Sequence, residues 1–213
     1  METLIDNDIL FKAACYDAFD AILLQVVSSP SMAGVLGAAK YVARRAITVG
    51  SLKGNPDEAL ERLESFIDSA SVVEPTEEEQ RLAADFERAA QVAGVALDAG
   101  ESQLSAVLIV RSLRWLCTGD KRAIEAMEHL LPHAEKLNVL CGKIICLEQL
   151  AIKAISLDVT AFRQAVCSEP EVDKTLTICF SCSASEITVD DVYPGLTSYI
   201  NDLRSKAPHI LAA

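Results

Sequence analysis

The sequence predicts an α/β fold, a three-layer sandwich with a mainly parallel central sheet, and three observations predict it. Short apolar, β-prone runs alternate with segments whose apolar residues recur at helical spacing. Acidic residues stand directly after several of those runs, where sheet sites of this class lie. At 213 residues, 51% apolar and 23% charged, the chain can bury a real core. That length is about one to one and a half domains, so one domain with an appendage is expected.

Thr3 to Ile5 reads as a strand that ends at Asp6-Asn7-Asp8, and Ile9 to Val27 reads as one helix. Ser28-Ser29-Pro30-Ser31 breaks the chain, and Met32 to Gly50 reads as a second helix. Asn55-Pro56-Asp57 opens a third helix, with proline in its first turn and acids beside it. Ala70 to Glu74 is a short strand. Thr76-Glu77-Glu78-Glu79 is a capping box that starts a helix to about Ala93. Asp98 to Glu101 opens another, largely buried helix. Arg114 to Thr118 is a buried strand ending at Gly119-Asp120, and Lys121 begins the next helix, which Pro132 limits.

Lys143 to Leu147 fits a buried strand followed by a helix from Glu148, although one continuous helix satisfies the same pattern. Beyond Pro170 a strand over Thr175 to Phe180, a Cys182 to Ser185 loop and a helix near Asp191 to Ser205 form the appendage. The division is therefore a domain over 1–158 and an appendage over 159–213 packing on it.

The net charge of −12 argues against a uniformly basic nucleic-acid surface. It is unevenly placed. Residues 57–101 hold thirteen acids and three bases, whereas 21–56 hold no acid and four bases, Lys40, Arg44, Arg45 and Lys53. Lys40 and Arg44 share a helix face, so a local basic track survives in an acidic chain. The N-terminus has acids where a signal peptide needs a basic flank, and no run of eighteen apolar residues occurs. A soluble cytoplasmic protein without membrane contact is expected. Seven scattered cysteines fit buried reduced thiols and a reducing compartment.

Asp6, Asp8, Glu101, Asp120 and Glu148 are the acids that strand ends and helix starts bring toward one sheet edge. Hard oxygen donors with no histidine among them suit Mg²⁺ or Mn²⁺ rather than Zn²⁺. Each acid also has a plainer reading. Asp6 and Asp120 can be turn or helix caps, Glu101 can close a capping box with Asp98, and Glu148 can be a surface helix-start residue.

The three segments METLIDNDILFKAA, LDAGESQLSAVL and WLCTGDKRAIEAM resemble the three successive motifs of PIN-domain nucleases. These are a strand running into Asp, a Glu at a helix start, and a strand ending in Thr-Gly-Asp. SVVEPTEEEQRLAADF sits where the family has a short strand and helix before the Glu motif, and the resemblance covers roughly residues 3–150.

The resemblance implies a metal-dependent endoribonuclease, of the toxin or defence type, in which Asp6, Glu101 and Asp120 hold Mg²⁺ or Mn²⁺ and do the catalytic work. Asp8 stands where many members have Asn or Ser, as a ligand or as a group behind the ligands. The fourth acid is Glu148 or, one turn into the helix after Asp120, Glu125. RNA is the implied partner, with Lys40, Arg44, Arg45, Lys121 and Arg122 as its contacts. An antitoxin-like protein partner and a homodimer through helical faces are further implications. Two other readings stay open: a PIN-like domain that has lost catalysis and serves as a binding scaffold, and a metal-dependent phosphohydrolase of small molecules.

Cys179-Phe-Ser-Cys182 has zinc-knuckle or redox-dithiol spacing, but only Cys167 and His209 lie near enough in sequence to add ligands, so packing thiols are the better reading. His129 and His133 lie four apart, yet the segment contains Pro132 and lacks the glutamate of a zinc-protease helix.

Overall fold

The computed structural model describes residues 1–184 and 188–213, so the last position of the expected Cys182 to Ser185 loop lies outside the described residues. A five-stranded, all-parallel sheet forms the centre: β1 (Thr3–Ile5), β2 (Ala33–Leu36), β3 (Ser71–Val73), β4 (Trp115–Thr118) and β5 (Ile144–Cys146). Its order is β3-β2-β1-β4-β5. The first strand is thus central, and the chain builds outward on one side and then on the other. The direction of winding reverses between β1 and β4.

Among the described residues ten α-helices cover the sheet. They are α1 (Asn7–Cys15), α2 (Phe19–Leu23), α3 (Ala39–Val49), α4 (Pro56–Ser69), α5 (Glu77–Ala93), α6 (Ala99–Val110), α7 (Lys121–Leu130), α8 (Leu147–Ser168), α9 (Lys174–Cys179) and α10 (Val189–Lys206). Alternate strand residues feed two separate cores, as the period-2 geometry of a strand requires. Ile5, Val35, Cys117 and Ile145 pack with α1 to α4 and α8 to α9. Leu4, Leu36, Val73, Leu116, Ile144 and Cys146 pack with α5 to α7 and the end of α10. Both faces of the sheet are therefore apolar and covered, and each fully buried Leu, Ile or Val adds about 1.5–3 kcal/mol of transfer free energy.

Three expected elements differ. The helix expected over 9–27 breaks after Cys15, because Asp17 takes a left-handed φ of 50° and the chain restarts as α2. The helix expected over 32–50 is a strand followed by a helix, since Ala33 to Leu36 is buried on both faces beside β1 and leaves no alternation to read. The strand expected over 175–180 is helix α9, started by Asp173, whose Oδ1 accepts from Leu176 N at 2.8 Å. At Lys143 to Leu147 the open choice resolves as a strand running straight into α8.

The expected boundary at residue 158 coincides with a kink. Asp158 leaves helical geometry inside α8, and its Oδ1 recaps the following turn at Ala161 N, 2.9 Å away. Residues past the kink are not peripheral: Phe162, Val166, Leu176, Phe180, Val192 and Leu196 join the first core, and Leu211 bridges to Ile144 at the sheet edge. Cys167 and Cys182 form a disulfide, which corrects the expectation of seven reduced thiols. The other five are free, four of them buried. Among the described residues no helix is long and apolar enough to cross a membrane.

Candidate active site

A cleft of about 610 Å³ opens at the carboxyl ends of β1 and β4, where the winding reverses. Asp6, Asn7 and Asp8 line it from the end of β1, Gly119 to Arg122 from the end of β4, and Asp98, Gly100 and Glu101 from the start of α6. Phe11, Val42, Ala43 and Ala46 form an apolar wall opposite. Open parallel sheets place ligands at this crevice because two neighbouring strands send their following loops apart there.

Each acid is held by local structure. Asp6 caps α1, its Oδ1 accepting from Asn7 N at 2.7 Å and its Oδ2 from the Thr118 hydroxyl at 3.0 Å, so the ends of β1 and β4 are tied together under the cleft. Burial raises its carboxyl pKa, these two donors oppose the rise, and the charges of Asp8 and Asp120 add to it. Glu101 accepts from Asp98 N at 2.7 Å, as the capping-box reading expects. Its carboxyl is nevertheless pushed up to about 7, by burial first and then by Asp120, Asp6 and Asp98. Asp120 caps α7, accepting from Arg122 N at 2.8 Å and Ala123 N at 3.2 Å, and meets the Arg122 guanidinium at 3.1 Å. Burial works to raise its carboxyl, but these donors outweigh burial and hold it below the usual range.

Asp8 is engaged differently. Its Oδ2 lies 2.6 Å from Lys12 Nζ, and Lys12 reaches Asp173 Oδ2 at 2.8 Å on the cap of α9. Burial alone would lower the Lys12 pKa; the two carboxylates prevail and raise it. Gly119 is what leaves room for this, since a Cβ there would lie 1.9 Å from Asp8 Oδ2. Glu148, almost fully buried, does not line the cleft and pairs with Lys121 at 2.5 Å. Glu125 lies outside the cleft as well, 3.4 Å from Lys206.

Of the expected RNA contacts, Lys121 and Arg122 line the cleft. Lys121 also reaches the Thr175 hydroxyl at 3.3 Å and lies 4.8 Å over the Tyr199 ring, so the segment beyond 158 anchors it. Lys40, Arg44 and Arg45 stand on α3, which turns Val42, Ala43 and Ala46 to the cleft instead. Arg44 pairs with Glu64 on α4, and Arg45 is exposed. Reading the sequence missed Lys12, Asp173, Thr175 and Tyr199; Lys12 carried a signal in its four-residue spacing from Asp8, and the others carried none.

The charge of Asp120 raises the carboxyl pKa of both Asp6 and Glu101 across one cleft, and Asp6 adds to the rise at Glu101; a bound hard cation relieves such crowding of charge, and all the donors of the three are carboxylate oxygens. In donor chemistry they fit Mg²⁺ or Mn²⁺. They are not drawn together, however: among the described residues no group of three or more His, Cys, Asp or Glu side chains stands ready to hold an ion. No protein-family model matches this chain, and no curated protein or solved structure is significantly similar to it.

Proposed function

We propose that this chain is a metal-dependent endoribonuclease on a PIN-like domain, hydrolysing RNA phosphodiester bonds at a carboxylate-held Mg²⁺ or Mn²⁺. The observation that carries the reading is that Asp6, Glu101 and Asp120, from three separate elements, line one cleft at the reversal of the sheet. Such a cation, when bound, supplies an attacking water of lowered pKa and stabilises the leaving oxygen. Asp6 and Asp120 would hold it from the two strand ends. Glu101 would join them, the cation itself favouring its ionised carboxylate. Lys121 and Arg122 would lend positive charge beside the phosphate, and Phe11, Val42, Ala43 and Ala46 give the cleft an apolar wall. A toxin or defence role, with an antitoxin-like partner and a homodimer, is the setting that the motif resemblance supports.

A second reading, a PIN-like scaffold without catalysis, is favoured by one observation: Asp8, Glu148 and Asp120 already have Lys12, Lys121 and Arg122 as counter-charges. One experiment separates the two. Mn²⁺ binding and cleavage of a labelled single-stranded RNA are followed in wild type, Asp6→Asn and Asp120→Asn. Loss of both in each variant supports the nuclease, and persistence of cleavage in both variants sinks the assigned site. A wild type that binds no Mn²⁺ favours the scaffold. Charge reversal of Arg44 and Arg45 to Glu should weaken RNA binding and flatten its salt dependence; unchanged binding removes α3 from the RNA path.

A further inference from the structure

A second cleft, of about 650 Å³, lies at the opposite edge of the sheet, where Arg114 and Trp115 begin β4. Val27, Ile145 and Ile200, all nearly inaccessible, give it an apolar floor, and the part-buried Trp115 stands beside them. Three cationic side chains line it, Arg114, Lys153 and Arg204, against one carboxylate side chain, Glu2. In a chain of net charge −12 that is a local inversion of sign. The wall is built rather than loose: Arg204 Nη2 and Gln149 Nε2 both donate to the Ala212 carbonyl at 2.8 Å.

Two wall atoms, Thr197 Oγ1 and Arg204 Nε, are buried without a hydrogen-bond partner among the described residues. A buried polar atom left unpaired costs roughly 1–3 kcal/mol. Both atoms are covered by neighbouring side chains, and a guest reaches them only after those side chains move. Arg114 and Lys153 are open at the rim and meet an incoming anion first.

We propose that this cleft binds a small organic anion with an apolar body, of the class of medium-chain or aromatic carboxylates. The volume is that of a small-molecule site, and its lining is about half apolar and half polar, which suits a guest with an apolar body and a charged head. The body lies on Val27, Ile145, Ile200 and Trp115, and the anionic group faces Arg114 and Lys153. Bare phosphate gains nothing from the apolar floor, and a carboxylate of small size gains little. This site is separate from the acid cleft and stands whether or not that cleft cleaves RNA.

Trp115 is the only tryptophan of the chain, so its emission reports on this cleft alone. The probe is 8-anilinonaphthalene-1-sulfonate, titrated into the folded protein. Expected are saturable one-to-one binding, quenching of Trp115 emission with transfer to the probe, and displacement by octanoate. Arg114→Glu and Lys153→Glu, both at exposed side chains, should each weaken binding roughly five- to tenfold with the thermal midpoint unchanged. Arg122→Glu in the acid cleft should leave the affinity as it is. The proposal is overturned by binding without Trp115 quenching, by several weak sites, or by affinities that ignore both charge reversals. Displacement by inorganic phosphate as effective as by octanoate, or by a short single-stranded RNA, overturns it as well.

Discussion

Lys12 and Asp173 form a 2.8 Å ion pair that joins the first helix of the chain to the cap of α9, and the same ammonium holds Asp8 at 2.6 Å. The side chains of Lys12 and Asp173 are only 9% and 13% exposed, so this is a largely buried triad rather than a surface pair. Removing one member of a buried set leaves the remaining charges without compensation.

Lys12→Met should therefore lower the unfolding free energy by about 2–4 kcal/mol, less than for a fully buried pair because Asp8 is one-third exposed. Urea denaturation measures it. The double variant Asp8→Asn with Lys12→Met should recover part of the loss. An unchanged midpoint in Lys12→Met would show that the triad contributes nothing.

Gly119→Ala tests the same region from the backbone. The new Cβ would meet Asp8 Oδ2 at 1.9 Å, and Asp8 cannot turn away without leaving Lys12. A loss of about 1–3 kcal/mol is expected. It should shrink when Asp8→Ala is present, and strict additivity of the two changes speaks against the contact.

Glu101 ties stability to pH through a raised carboxyl pKa. Between the ordinary value of 4.5 and about 7 the unfolded chain ionises first, so a folding penalty accumulates as pH rises and is complete above about 7. Gln at this position still accepts from Asp98 N, because its side-chain carbonyl serves a capping box as well as a carboxylate does. Without divalent cation, Glu101→Gln should match wild type near pH 4 and exceed it in stability at pH 8. Thermal melts across that range decide it; a gap independent of pH refutes the assigned cause.

The Cys167–Cys182 disulfide closes a loop of sequence separation 15. Cys182→Ser should reduce stability by about 2–3 kcal/mol relative to the oxidised protein, chiefly by releasing the unfolded chain. Thiol titration of the denatured protein should find the five free cysteines before reduction and all seven of the chain after it. Seven reactive thiols before reduction would restore the expectation of a fully reduced chain.

Much of this was legible in the residues. β1 and β4 were readable because an apolar run ending in an acid or Gly-Asp has few other homes, β5 only as one of two readings of its run, and α5 because Thr76 and Glu79 cap it reciprocally. β2 was hidden since Ala33-Gly34-Val35-Leu36 is buried on both faces and merges into the helical pattern that follows; Gly34 and Gly37 were the available clues. Thr175 to Phe180 misled through its β-branched residues, while the Asp173 cap pointed to a helix. The cleft acids were found because strand direction fixes where Asp6 and Asp120 go. Of the lysines that occupy Asp8 and Glu148, Lys12 stands one helical turn from its partner and left a readable spacing, whereas Lys121 pairs with a residue on a distant element, which depends on the fold and on side-chain reach.

The strand order also dictates when the cleft can come into being. β1 emerges first during synthesis yet sits in the middle of the sheet, with β2 on one side and β4 on the other. Asp6 cannot meet Asp120 until the chain has been made past β4, and Lys12 waits longer still for Asp173. Nascent chains halted before residue 118 thus carry the first acid of the cleft with neither its Thr118 donor nor its opposing strand end, and the charged centre is complete only once Asp173 has followed.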